Sequence, residues 1–191
     1  MLPNNVASSV PIPGLWTVPD DRVTTPIVDY ERGGIALNDT SQGLRVKNWK
    51  AWLDDKKVMV QGEGDAFSTE LFEENQITEL ALAFDQNMRW SIGYVAAGVL
   101  KLRWYDSNVN ARVVTVFTEA RNPKMALDDK RPLADQTSDM ILAYIRGNEL
   151  YYRQQRDRFT VERMLKDELF PGTRLKNIGL SRALRMQFEL V

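Results

Sequence analysis

A chain of 191 residues carries 25 Lys and Arg against 26 Asp and Glu, a formal charge of −1. That balance argues against a general binder of phosphate backbones. The absence of cysteine and histidine excludes disulfides, thiolate nucleophiles, Ser-His-Asp triads and nearly all zinc, iron and copper sites.

Five of the eight prolines fall within the first 26 residues: Pro3, Pro11, Pro13, Pro19 and Pro26. Each fixes φ, removes a donor and restrains the residue before it. Gly33-Gly34 and Asn38-Asp39 add turn chemistry. Yet Val10, Ile12, Leu15, Trp16, Val18, Ile27, Val28 and Tyr30 are too apolar for a free linker. Residues 1–43 therefore read as an extended arm lying on a surface, its own or a neighbour's. The first residues show neither the basic start nor the apolar run of a signal peptide. No stretch approaches the roughly 18 apolar residues of a membrane span. Charge is uneven along the chain. Residues 1–43 hold two basic and five acidic groups, and residues 140–191 hold ten and six. Such asymmetry either orients subunit contacts or is plain solvated surface.

From Leu44 the texture changes to short alternating runs broken by Asp, Asn and Gly. Residues 77–84, 99–104, 111–117 and 184–190 have the period of two that marks half-buried antiparallel strands. Asp54-Asp55-Lys56-Lys57, Asp85-Gln86-Asn87, Ser107-Asn108, Asp128-Asp129-Lys130 and Arg146-Gly147-Asn148 read as turns between them.

The chain also echoes itself. Tyr94, Val95, Leu100 and Arg103 recur fifty residues on as Tyr144, Ile145, Leu150 and Arg153. Leu82-Ala83-Phe84-Asp85 recurs at an offset of 43 as Met125-Ala126-Leu127-Asp128. A fainter first copy reads Lys50-Ala51-Trp52-Leu53-Asp54, followed by Val58-Met59-Val60 and Glu70-Leu71-Phe72. Units of about 44–74, 77–117 and 122–165 have the grammar of β-propeller blades, with residues 184–191 as a closing strand. Three units fall short of a closed ring, so their edges call for a cover or a partner. The expected fold is mainly β, with antiparallel blade-like repeats (propeller-like or sandwich) and an extended N-terminal arm. Residues 160–169 fit a helical spacing as well, but the repeat favours a strand over 159–164 with a helical turn near 166–170.

Chemistry-bearing constellations are weak. Gly62-Glu63-Gly64 lacks the rest of a phosphate loop. Asp54-Asp55 and Asp128-Asp129 are ordinary turn pairs rather than acid/base or calcium sites. The sequence assigns no catalytic, cofactor or metal residue. Trp16, Trp90, Trp104, Tyr151, Tyr152, Arg153, Arg156 and Arg158 form the candidate interaction surface. Aromatics interleaved with arginines suit either sheet packing, a stacking platform or a sugar-binding wall. Arg103 and Arg153 are expected to bridge strands or blades. Arg153, Arg156, Arg158 and Arg163, interrupted by Asp157 and Glu162, read as a salt-bridged face rather than a nucleic-acid stripe.

The strings LALAFDQNMRWSIGYVAAGVLKLRWYD, RNPKMALDDKRP, SDMILAYIRGNELYYRQQRDRF and IGLSRALRMQFELV are similar to modules of tail proteins of short-tailed bacteriophages, the nozzle, hub and fibre-attachment group. The resemblance covers about 60% of the chain and implies no cofactor and no active site. It implies a non-enzymatic virion component, made in the host cytoplasm, with other tail proteins as partners and a symmetric homo-oligomeric assembly. The alternative is a receptor- or glycan-binding module of a tail fibre or spike, with Trp90, Trp104 and Tyr151-Tyr152 lining a groove.

Overall fold

The computed structural model describes residues 28–35, 45–85, 89–128, 139–180 and 186–191. The chain is mainly β, and no α-helix occurs among the described residues. Three antiparallel four-stranded meanders follow one another. Sheet 1 holds β1 (Val28–Ile35), β2 (Arg45–Asp54), β3 (Lys57–Gly62) and β4 (Thr69–Glu73). Sheet 2 holds β5 (Ile77–Phe84), β6 (Trp90–Ala96), β7 (Val99–Asp106) and β8 (Ala111–Glu119). Sheet 3 holds β9 (Arg121–Asp128), β10 (Asp139–Arg146), β11 (Glu149–Gln154) and β12 (Arg163–Lys166). A hairpin of β13 (Leu175–Leu180) and β14 (Met186–Leu190) makes a fourth sheet. The first strands β1, β5, β9 and β13 lie beside one another in that order.

Burial follows position within each meander. β6 and β10 are buried almost along their whole length, because a neighbouring sheet covers each of their faces. Their sequences, Ser91-Ile92-Gly93-Tyr94-Val95-Ala96 and Met140-Ile141-Leu142-Ala143-Tyr144-Ile145, are accordingly continuous and apolar rather than alternating. β7 alternates strictly, burying Leu100, Leu102, Trp104 and Asp106. The outermost strands β4, β8 and β12 are largely exposed.

The offset of fifty has a definite register. Val95 pairs with Leu100 across the turn Ala97-Gly98, and Ile145 pairs with Leu150 across Gly147-Asn148. In the first of these turns both residues have positive φ, 51° and 79°, as a type I′ hairpin requires. Leu53 pairs with Val58 across Asp55-Lys56 in the same way. Val58, Leu100 and Leu150 are all fully buried. The hairpin β13–β14 matches the first two strands of sheet 2. Ile178 faces Phe188 as Leu80 faces Tyr94, with a bulge just beyond each pair.

Three boundaries differ from expectation. The expected arm, residues 1–43, gives up residues 28–35, which pair with β2 through eight residue pairs. Gly33-Gly34, which reads as turn chemistry in the sequence, lies inside that strand. Residues 1–27 and 36–44 lie outside the described residues. Lys50–Asp54 belongs to the second strand of its sheet, not the first, so the faint first copy is shifted in phase. The last strand of sheet 3 is Arg163–Lys166 rather than residues 159–164. Arg158 and Phe159 take left-handed φ of 52° and 58°, which sends the fully buried Phe159 ring into the core instead of along a strand. The helical turn expected near 166–170 is absent. A 3-10 turn stands instead at Gln155–Asp157.

Candidate interaction surface

Two seams join the sheets by the same set of groups. Between sheets 1 and 2, Phe72 of β4 lies 5.3 Å from the Tyr94 ring, with the Arg103 guanidinium 4.3 Å from its own centroid. The Tyr94 hydroxyl donates to Glu74 at 3.4 Å, and Lys101 pairs with the same carboxylate at 3.5 Å. Between sheets 2 and 3, Phe117 of β8 stacks on Tyr144 at 6.4 Å, with Arg153 over it at 4.8 Å. The Tyr144 hydroxyl accepts from Arg153 Nε at 2.7 Å and donates to Glu162. Arg153 also donates to the Phe159 and Thr160 carbonyls at 2.9 and 3.0 Å. Arg146 closes on Glu162 at 2.8 Å. The aromatic of one sheet's second strand is thus clamped by a phenylalanine and a glutamate that other strands or segments supply. Such rings carry a large apolar area and prefer these offset and tilted contacts.

Burial pushes the Tyr144 hydroxyl far above its ordinary range, and Glu162 adds to the rise. Burial alone would also raise the Glu162 carboxyl. The Tyr144 hydroxyl and the Arg146 and Arg153 guanidiniums outweigh it and hold Glu162 below its ordinary value. Glu79 behaves in the opposite way. Its burial against β9 raises it, despite the Asn122 amide and the nearby Arg174, Lys124 and Arg121.

Three buried aspartates anchor the ends of the strands. Asp85 accepts from the backbone amide of Arg89 at 2.9 Å and from its Nε at 2.7 Å. Asp139 grips Arg156 in the same fork at 2.7 and 2.6 Å. Asp106 accepts from the Asn108 amide at 2.9 Å and pairs with Arg158, tying sheet 3's turn to sheet 2. A buried carboxylate is tolerated only when its oxygens are satisfied in this manner.

The seven sequence candidates among the described residues do not make one surface. Trp16 lies outside the described residues. Trp104 is a correction, because it is 3% exposed, donates to Thr115 at 3.0 Å and meets Phe159 edge-on at 5.0 Å. The alternating β7 places it inward, where the sequence pattern alone left both faces open. Trp90 is stacked with Phe72 at 6.3 Å and carries Arg112 at 3.5 Å from its centroid. Tyr151 stacks on Tyr144 at 6.2 Å and carries Arg146 at 4.3 Å. Tyr152 packs in the cluster between sheet 3 and the last hairpin. Arg153 bridges sheets, as its recurrence suggested. Arg156, Arg158 and Arg163 pair with Asp139, Asp106 and Asp157, giving the salt-bridged face expected. These described rings already carry partners within the chain.

Sequence reasoning expected uncovered edges but did not tell which outer strand is unguarded. Among the described residues β4, β8, β12 and β14 each pair on one edge only. In the four-stranded sheets, two of the three rim strands are guarded. β4 has five residues and carries Glu70 and Glu73, which pair with Lys57 and Lys56. β12 has four residues and carries Arg163 and Lys166. β8 has nine, and residues 113–118 contain no charge. Val114 and Val116 are 46% and 60% exposed there. Valine stands at 113, 114 and 116, on both faces, so the period of two over residues 111–117 did not tell which face is exposed. Phe67 and Phe170 also stand exposed in loops.

Among the described residues no group of three or more His, Cys, Asp or Glu is placed to hold a metal ion. No helix among them is long and apolar enough to cross a membrane. Comparison of the chain with protein-family models, with curated proteins and with solved structures finds no match.

Proposed function

We propose that this protein is a structural, non-catalytic component of a bacteriophage tail, held in the virion by its N-terminal arm and its free sheet edges. The observation that carries the reading is an open series of meanders. Four first strands lie side by side, as blades would about an axis, and among the described residues every outer strand keeps a free edge. We read sheets 1 to 3 as propeller-like blades and the last hairpin as the first half of a fourth. Unpaired edges in such a series are templates for pairing with another chain. The similarity of several segments to short-tailed phage tail proteins supplies the biological setting, with other tail proteins as partners in a symmetric assembly. The arm adds to this. Its prolines forbid long regular elements, while its apolar residues make lasting solvation unfavourable. Ordering some tens of residues at about 1–2 kcal/mol each exceeds what a small apolar patch returns at about 25 cal/mol per Å². A large preformed surface is needed, and neighbouring subunits supply one.

Mass spectrometry of purified particles of the phage that encodes this chain tests the proposal. The chain should be present at a fixed copy number in every preparation. Absence from particles that are intact and infectious overturns it.

A further inference from the structure

We propose that β8 is a self-association edge, on which two copies of this chain pair antiparallel about a two-fold axis through Thr115. The inference rests on the reading as an assembly module and narrows it to one strand and one partner. Its first support is the contrast among the rims. Short strands and charged side chains are the usual protection of an edge, and β4 and β12 have both. β8 is longer, carries no charge over residues 113–118 and keeps a regular register with β7 from Ala111 to Val116, its irregularity lying between Val116 and Glu119. Its long run of β-branched residues presents backbone donors and acceptors on one side.

The second support is register. A two-fold axis normal to a sheet keeps each residue on its own face, so only residues of the same parity can stand opposite one another across the pair. Centred on Thr115, Val114 of one copy faces Val116 of the other, and the reverse. The two most exposed apolar side chains of the strand then cover each other. On the opposite face Thr115 meets its own mate. Arg112 and Glu119 fall outside this core of pairs, so no like charges meet within it. Centring on Val114 sets Arg112 against Val116. Centring on Val116 moves half of the pairs into the irregular stretch between Val116 and Glu119. Only the Thr115 register joins Val114 to Val116 within the regular part of the strand. Cross-strand pairs of this kind are the unit of sheet stabilisation. Val113 and Phe117 are already committed inward to the cluster shared with sheet 3, so pairing needs no rearrangement of the seam. A single nine-residue edge falls in the small, weak class of interfaces, so the dimer should be concentration-dependent.

Sedimentation of the full chain over a wide concentration range is the first arm of the test. The expected result is a monomer–dimer equilibrium whose dissociation constant rises at least about tenfold, or about 1.4 kcal/mol, in Val114→Lys/Val116→Lys. Both side chains are exposed, so the fold should survive. The native chain has no cysteine, so the second arm uses Val114→Cys and Val116→Cys. Mixed together, the two variants should cross-link under mild oxidation faster than either alone, which is the signature of this register. Association that ignores both lysines, or cross-linking no faster in the mixture, overturns the inference and leaves the assembly reading standing. A chain that stays monomeric throughout but is found in particles does the same, and points to another protein as the occupant. A chain that neither associates nor enters particles overturns both.

Discussion

Arg153 lies over the ring of Phe117, its guanidinium carbon 4.8 Å from the centroid, and so joins β11 of sheet 3 to β8 of sheet 2. One sheet earlier Arg103 sits over Phe72 at 4.3 Å. The seams therefore depend on a phenylalanine presented by the outermost strand. Phe72→Ala should cost about 3–5 kcal/mol, and the less buried Phe117→Ala somewhat less. Leucine at either position should recover part of the loss. Chemical denaturation of the four variants checks this; a loss under about 1 kcal/mol for both alanines would show that the rings do not hold the seams.

Leu100 and Leu150 stand at the same register position beside two-residue turns, and both are fully buried. Leu100→Ala and Leu150→Ala should each cost about 2–5 kcal/mol. Because the two sites lie in different sheets, the double variant should cost close to the sum of the singles. Marked non-additivity in urea titrations would mean that the two positions share one cavity.

Gly93 occupies the register position that Ala51 and Ala143 hold in the other two sheets. A Cβ there would meet Leu142 Cδ1 at 3.1 Å and Met125 Sδ at 3.3 Å. Gly93→Ala should therefore destabilise by about 1 kcal/mol or more through overpacking, and shortening Leu142 should relieve it. Thermal unfolding of the single and of Gly93→Ala/Leu142→Ala decides the matter: the double variant should lose less than the two singles added together.

The clamp on Glu162 gives a pH signature. Its carboxyl is held below the ordinary value of 4.5, so its contribution is complete above that pH and is lost as pH falls through the lower folded value. Glu162→Gln should flatten the stability curve below about pH 4.5. Glu79, raised by burial, works the other way: its contribution is present below 4.5 and is lost as pH rises through the folded value. Glu79→Gln should remove that loss. Stability curves of the two variants that both shift in one direction would refute the assignment.

Deleting residues 1–27 should leave the unfolding midpoint nearly unchanged while abolishing incorporation into particles. Deleting residues 1–43 removes β1 as well and should destabilise sheet 1. Equal midpoints for the two truncations, measured by circular dichroism, would contradict the placement of β1.

Much of the β-region was legible because its cues are local. Residues 77–84 alternate and are bounded by turn residues, and they form a strand over that same span. The echo of Tyr94 and Leu100 in Tyr144 and Leu150 identified matching hairpins because a two-residue turn fixes register without tertiary help. What was hidden depends on neighbours. Trp104 and Trp90 look alike in sequence, and only the packing of sheet on sheet buries one and leaves the other half covered. β1 was missed because Gly33-Gly34 carries no side-chain pattern and the strand is defined by β2. The exposed valines of β8 were invisible because valine suits a buried and an exposed position of a strand equally well.

The meander order has a consequence for how the molecule opens. Every sheet is built from consecutive strands, and adjoining four-stranded sheets are linked by only residues 74–76 and by Ala120. Each sheet touches chiefly the sheets before and after it. Such a chain behaves as a line of cooperative units with nearest-neighbour coupling. Amide exchange should then proceed in steps, a sheet at a time. Sheet 2, flanked by a four-stranded neighbour on either side, should be the last to open.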